Sequence, residues 1–424
     1  MNRKLFIVSF VLIAALLASV SVFGGGSRET APGEVVITWP THWVGEMGAG
    51  PIIRELVDEF NALHAGEIRV VLEAHPEADA AEDVIRTRLA AGQPPDFFLF
   101  KLGPTTEVYY ETGLLMDLTD ELERDGWGAT FDPGALAVST INGEVRSLPI
   151  ETALTPIWYN TRLFEEAGID EFPTTIDEFW EAADRLLEIG VVPTSQMTGG
   201  ANAWTSMLWY THLVGSIGGP DVWDRAWDDP AFEEAAGIMK RMYQEYTTRD
   251  AIGAGPGESS AHFMNERTAM FVNGPWFVSN IRDNAPDVHA VTRLAPAPSA
   301  GDYHGHQVGW LLTSAAAAHT DDPARRDAVV QWFRFLTHPD NIKRQSLGRG
   351  SLMPVAFEIG PEDNVDPLQQ QFIEAGNNAT FLIDGIEAVM PVHVVQEFGQ
   401  ALSAMVLRDL PPSEFVALMR AAAE

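Results

Sequence analysis

Val35-Val36-Ile37-Thr38-Trp39 is a short apolar run rich in β-branched residues, cut off by Pro40 and Gly45. A run of that length and makeup reads as a buried strand. Gly50-Pro51 opens a helix with proline in its first turn, and Ile52, Ile53, Leu56, Val57, Phe60 and Leu63 recur at helical spacing to form one apolar face. Gly66 stops it, and Ile68-Arg69-Val70-Val71-Leu72 reads as a second strand. Strand, loop, helix and strand in that order predict a parallel pair with a right-handed crossover. A second helix over 82–91 ends at Gly92, Pro94-Pro95 punctuates, and Asp96-Phe97-Phe98-Leu99-Phe100 is a third strand. The alternation makes this half of the chain α/β and doubly wound.

Further along, Thr175-Ile176-Asp177-Glu178 has the form of a capping box, and Ile176, Phe179, Trp180, Ala183, Leu186 and Leu187 make the stripe of the helix it starts, which ends at Gly190. The segment 195–285 reads as helical and is rich in tryptophan. After a strand at 308–313, Asp322-Pro323 starts a helix with Val329, Trp332, Phe333 and Leu336 on one face, and Pro339 ends it. Residues 382–424 read as two closing helices, the last from near Ser413. No internal repeat is visible.

The chain of 424 residues is 46% hydrophobic and 21% charged, which excludes a disordered tail, a collagen repeat and a polytopic membrane protein. Sixty acidic residues against 27 basic ones give a net charge of −33, a surface that repels phosphates and argues against nucleic acid as a partner. With no cysteine, the chain has no disulfide, thiolate metal site, thiol nucleophile or acylated lipoprotein cysteine. Arg3 and Lys4 precede an uncharged run from Leu5 to Phe23 and then small residues, the layout of a secretory signal, with Val22 and Gly24 suited to cleavage after Gly24. An uncleaved anchor is the competing reading. The run only just nears the ~20 residues that span a bilayer, which favours cleavage and an exported, soluble protein.

Patterns of covalent chemistry are missing. The sequence has no HExxH, Walker loop, GxSxG or strand–GxGxxG–helix unit. Gly253, Gly255 and Gly257 share a loop with proline and do not make a phosphate cradle. His304-Gly305-His306 lacks a spaced third ligand, so it reads as a solvated loop and no metal or cofactor is expected. The carboxylates are too many for any one pair to indicate glycoside cleavage. The tryptophans say more. Trp39 and Trp43 flank a turn at the end of a strand, Trp276 follows Asn273-Gly274-Pro275, and Trp310 follows Gly309. Ligands in open α/β sheets bind at strand C-terminal ends, and flat apolar faces beside polar groups suit sugars.

Several stretches resemble the extracytoplasmic solute-binding proteins of ABC importers, in the large sugar-carrying family to which maltose-binding proteins belong. These are Asp58-Glu59-Phe60-Asn61, Ala90 to Asp96, Gly113 to Thr119, Leu148-Pro149 leading to Trp158-Tyr159-Asn160, Pro173 to Phe179, Phe263 to Met270 with Asn273-Gly274-Pro275-Trp276, Thr337-His338-Pro339, and Gly350 to Pro354. Their order and spacing cover most of residues 35–420.

The resemblance implies a two-lobed periplasmic-binding-protein fold of the type II kind, each lobe a sheet flanked by helices. Crossing segments would fall near 151–155, near 306–309 and just after Met353. Lobe one would be 34–152 plus 309–353, and lobe two 153–308 plus 354–424. Ligand would lie between the lobes, which close on a hinge. In such proteins the aromatic of the Asn-Gly-Pro-Trp motif stacks on sugar, so Trp276 is the leading candidate. Trp39, His42 and Trp43 would reach the cleft from the first strand, Lys101 and Glu151 from the matching strand end and crossing, Asn202 and Trp204 from lobe two, and Trp310 from the second crossing. Phe398 stands about one residue out of register with a cleft aromatic of maltodextrin binders. Ala153 is apolar where those carry a carboxylate, with Glu151 two residues earlier. The implied function is capture of a sugar or oligosaccharide for an ABC permease by a monomer without covalent chemistry. The alternatives are a glycerol phosphate, which one cleft arginine such as Arg349 would hold, a polyamine, a receptor-linked sensor, or a secreted carbohydrate-active enzyme.

Overall fold

The computed structural model describes residues 33–46, 48–75, 78–101, 106–200 and 203–424. The signal segment and Asn202 therefore lie outside the described residues.

The opening unit forms as its sequence predicts. Strand β1 (Val35–Thr41) pairs in parallel with β2 (Ile68–Ala74), Val35 opposite Ile68 and Thr41 opposite Ala74. The helix Gly50–Leu63 between them has proline in its first turn and buries Ile53, Leu56, Val57 and Phe60. β1 runs through Pro40 instead of stopping there, because it is hydrogen-bonded on one side only and a residue without an N–H is tolerated. Helix Ala78–Ala90 leads to β3 (Phe97–Lys101). β3 joins β1 through a side chain: the Asp96 carboxylate accepts from Thr38 N at 2.9 Å and from Thr38 Oγ1 at 2.7 Å.

A short hairpin, β4 (Thr140–Ile141) and β5 (Glu144–Val145), precedes β6 (Leu148–Leu154). The second sheet holds β7 (Ile157–Asn160), β8 (Val192–Thr194), β9 (Thr268–Val272) and β10 (Thr292–Ala295) in the order β10-β7-β9-β8. The long β11 (Gln307–Ala317) pairs antiparallel with both β3 and β6, and its first residues pair in parallel with β12 (Leu382–Ile383). The sheet of β3, β6, β11 and β12 is therefore mixed and separate from the parallel β1–β2 pair, where the alternation of elements alone suggested one doubly wound sheet.

Two large cores flank the β6–β11 pair. The first collects Trp39, Phe60, Phe97, Ile150, Ala315, Trp332 and Phe333. The second collects Ala153, Phe179, Trp209, Phe232, Val308, Leu312, Phe398 and Met405. Each shared strand changes core along its length: Leu148 and Ile150 of β6 face the first and Ala153 the second, while Val308 and Trp310 of β11 face the second and Ala315 the first. The fold is thus α/β and two-lobed, with the same strands serving both halves. The Thr175 capping box forms, Thr175 Oγ1 accepting from Glu178 N at 3.3 Å and Glu178 Oε2 accepting from Thr175 N at 3.1 Å. The chain closes with helices Val392–Leu407 and Pro412–Ala423, as read from sequence.

Candidate binding cleft

A cavity of about 460 Å³ opens between the two cores, within the range of small-molecule sites. One wall comes from the N-terminal α/β unit: His42 and Trp43 after β1, Glu82 and Ile85 from helix Ala78–Ala90, and Phe100 and Lys101 at the end of β3. The other wall brings Trp204, Pro256, Asn273 and Trp276, while Glu151, Thr313 and Arg349 form the floor where the strands cross.

Local structure fixes each aromatic wall. Thr41 Oγ1 accepts from Trp43 N at 3.0 Å and His42 O from Val44 N at 2.8 Å, turning the chain so that Trp43 leaves the strand sideways. Trp204 begins the helix Trp204–Gly218; upstream, Thr198 N donates to Ala251 O and Gly199 N to Ala254 O, both at 2.9 Å. Trp276 sits on the short turn Pro275–Phe277. Behind it Asn273 O accepts from Trp158 Nε1 at 2.9 Å, and Asn273 Oδ1 accepts from Gly274 N at 2.8 Å. The indole folds back over Gly274, whose missing Cβ would stand 2.1 Å from Trp276 Cη2. Trp204 and Trp276 are 5.6 Å apart at 56°, a bent aromatic wall.

The floor is charged and closed on itself. Arg349 ends the helix Pro339–Arg349, and Gly350 reverses the chain at φ 79°, a conformation that favours glycine. There a Cβ would meet the Val278 side chain at 2.4 Å. The reversal leaves Arg349 3% exposed, its Nη2 donating to Glu151 Oε1 at 2.8 Å and its guanidinium 4.3 Å above the Trp43 ring. Glu151 pairs with Thr313 between register shifts of β11, bulges of the kind that re-aim side chains at sites. Lys101 Nζ stands 3.4 Å from Glu82 Oε1 and 3.9 Å from Glu387 Oε2. Burial, with Lys101 and Arg349 nearby, lowers the His42 pKa to about 4, so its ring is neutral at physiological pH.

Of the residues chosen from sequence, Trp276, Trp204, Trp43, His42, Lys101 and Glu151 meet at this cavity. Trp39 does not: alternation along β1 turns Ile37, Trp39 and Thr41 to the buried face, and its indole packs 5.0 Å from Phe97 and 6.0 Å from Trp332. Trp310 stands behind Trp204, 5.8 Å from it, with its ring against Gly385 and outside the lining. Phe398 is also core, wedged between Tyr210 and Phe415 at 5.4 Å from each. His306 is not part of a solvated loop. It is 1% exposed, stacked on Phe381, with Nε2 donating to His212 O at 3.0 Å. His304 is exposed, and no cluster of three metal-ligating side chains occurs among the described residues. Glu82, Thr313 and Pro256 join the site without a local signal, since nothing near them in sequence distinguishes Glu82 and Pro256 from other surface positions or Thr313 from other strand positions.

A cavity set between two α/β cores, at the point where shared strands cross, and walled by tryptophans over ion-paired polar groups, defines a two-lobed ligand-binding protein. Residues 45–343 match the profile of the bacterial extracellular solute-binding proteins, and the chain belongs to that family. It is 26% identical over 358 residues, 83% of this chain and 73% of the relative, to the maltotriose-binding protein of Pyrococcus abyssi. It is 24% identical over 325 residues, 71% of this chain and 68% of the relative, to a xylose/arabinose-binding protein of Haloferax volcanii. Among solved structures, a chitin oligosaccharide binding protein superposes with TM-score 0.83 at 22% identity, covering 92% of this chain and 98% of the other. A maltose-bound protein of T. maritima superposes with TM-score 0.75 at 20% identity, covering 91% and 98%.

Proposed function

We propose that this protein captures a sugar or oligosaccharide outside the cytoplasmic membrane and delivers it, as a monomer and without covalent chemistry, to an ABC permease. The observation that carries the reading is the meeting of Trp43, Trp204 and Trp276 with Asn273, Thr313, Lys101 and Arg349 on one cavity. Sugar C–H faces stack on such rings while hydroxyls hydrogen-bond to the polar groups between them. The sugar-binding names of the related proteins point the same way. The two lining carboxylates, Glu82 and Glu151, are both engaged by cations, which suits recognition better than the proton transfer a glycosidase needs.

Lobe one in this reading is 34–152 plus 309–353 and lobe two the remainder, with crossings at 151–155, 306–309 and after Met353. Val355 packs with the first core, so the third crossing would leave that core a few residues beyond Met353. Closure over ligand is the state the permease reads. Residues 1–24 act as a cleaved export signal. No helix among the described residues is long and apolar enough to cross a membrane.

Thermal melting of the exported protein against mono- and oligosaccharides, glycerol phosphates and polyamines tests the reading. A ligand at 100 times its Kd adds about 2.7 kcal/mol. A shift with a sugar class that disappears in a folded Trp276→Ala variant is the expected result. A shift with only a phosphate or a polyamine would overturn the substrate.

A further inference from the structure

Every cation on the cleft is already matched. Arg349 is buried, and Glu151 occupies its Nη2. Lys101 lies between Glu82 and Glu387. His42 adds no charge at neutral pH. Among the described residues three carboxylates therefore face two cations, and no surplus positive charge is left for a ligand. Yet one donor stands open: Arg349 Nη1 is buried and has no hydrogen-bond partner among the described residues. A desolvated guanidinium N–H without an acceptor is costly, and since Nη1 itself has no accessible surface, an acceptor in the cavity that Arg349 lines reaches it only with a small shift of the guanidinium.

We infer that the cleft selects uncharged sugars against anionic ones, with Arg349 Nη1 donating to a hydroxyl or ring oxygen of the ligand and Glu151 setting the discrimination. The inference rests on the sugar-binding reading and narrows it. A neutral oxygen accepts a charge-assisted hydrogen bond from Nη1 and brings no charge with it. A carboxylate or phosphate in the same place would face Glu151 across one guanidinium in a water-poor floor, where like charges repel far more strongly than in water. Glu82 and Glu387 oppose it at the other cation, and the net charge of −33 lowers the local concentration of anions further. Glu151 is thus a specificity residue acting through Arg349. The same reasoning disfavours uronic acids, sugar phosphates and glycerol phosphate.

The test is calorimetric titration of the exported protein with matched disaccharides. Maltose, cellobiose and N,N′-diacetylchitobiose are compared, and the best binder is then set against its C6-carboxylate counterpart, with glycerol 3-phosphate alongside. The carboxylate form is expected to bind at least about tenfold more weakly than the neutral form. In Glu151→Gln that gap should narrow severalfold, while the neutral sugar changes less. A carboxylate sugar that binds as well as its neutral counterpart overturns the inference and leaves the sugar-binding reading standing. If no carbohydrate binds, that reading falls and the inference with it. An unchanged gap in folded Glu151→Gln removes Glu151 as the discriminating residue, and should that variant not fold, the wild-type comparison decides the selectivity by itself.

Discussion

Replacing Gly274 with alanine isolates the position of one ring. The added Cβ would lie 2.1 Å from Trp276 Cη2, 2.2 Å from Cζ3 and 2.5 Å from Cζ2. The backbone at Gly274 has φ −95° and ψ 178°, an extended conformation open to any residue, so the alanine itself is unstrained. Carbon atoms rest at about 3.5–4.0 Å, so the indole must retreat by roughly 1 Å or more. Trp204 stands 5.6 Å away on one side, which leaves movement into the cavity as the route. An aromatic contact contributes about 0.5–1.5 kcal/mol beyond its buried area. Losing most of that, together with some burial, weakens sugar binding by about tenfold. Stability should hardly change, because loss of glycine's freedom in the unfolded chain returns about 0.4–1 kcal/mol. Titration calorimetry with the sugar that raises the melting temperature, paired with melting of the ligand-free variant, reads both quantities. Affinity equal to wild type in a folded Gly274→Ala protein would refute the role given to Trp276.

Trp39→Ala should cost about 3–5 kcal/mol in urea unfolding and Trp276→Ala much less; the reverse order would return Trp39 to the cleft. Glu151→Ala strands a buried guanidinium and should cost about 3–5 kcal/mol, whereas Lys101→Ala, at a pair left a third exposed, should cost about 1 kcal/mol or less; equal losses would contradict the burial argument. Burial lowers the pKa of His212 to about 3 and of His306 to about 4. Their unfolded value is near 6.5, so below that pH the unfolded chain takes up protons that the folded chain refuses. Stability is therefore full above about pH 6.5 and falls as pH drops towards 4, by up to about 1.4 kcal/mol per pH unit for each histidine. Urea midpoints between pH 4.5 and 7.5 should follow that slope, flatten by one proton's worth in His306→Gln, and count against the burial account if they stay level.

What was legible in the sequence was local. The spacing of Ile53, Leu56, Val57 and Phe60, the proline at the helix start and the two flanking apolar runs need only neighbours in the chain, and all three elements form, β1 and β2 each running two residues past its reading. The capping box at Thr175 and the turn that carries Trp276 are equally local. Trp39 and Trp43 looked alike because both flank the same turn, yet the pleat sends one into the core, and the turn fixed by Thr41 sends the other to the cleft wall. His306 read as solvated because nothing beside it in sequence reveals Phe381 and His212, its partners in the fold.

By itself the sequence determined the α/β alternation, the acidic surface, the missing cysteine chemistry and the tryptophan-bearing turns, because periodicity, composition and turn chemistry act over a few residues. Tertiary structure alone decided that β6 and β11 serve both cores, and that Arg349 meets Glu151 across 198 residues of chain. It also decided that three tryptophans from three separate segments line a single cavity. Those outcomes depend on how the faces of distant elements pack against each other. That packing is set by burial summed over both cores, a quantity no short stretch of sequence contains.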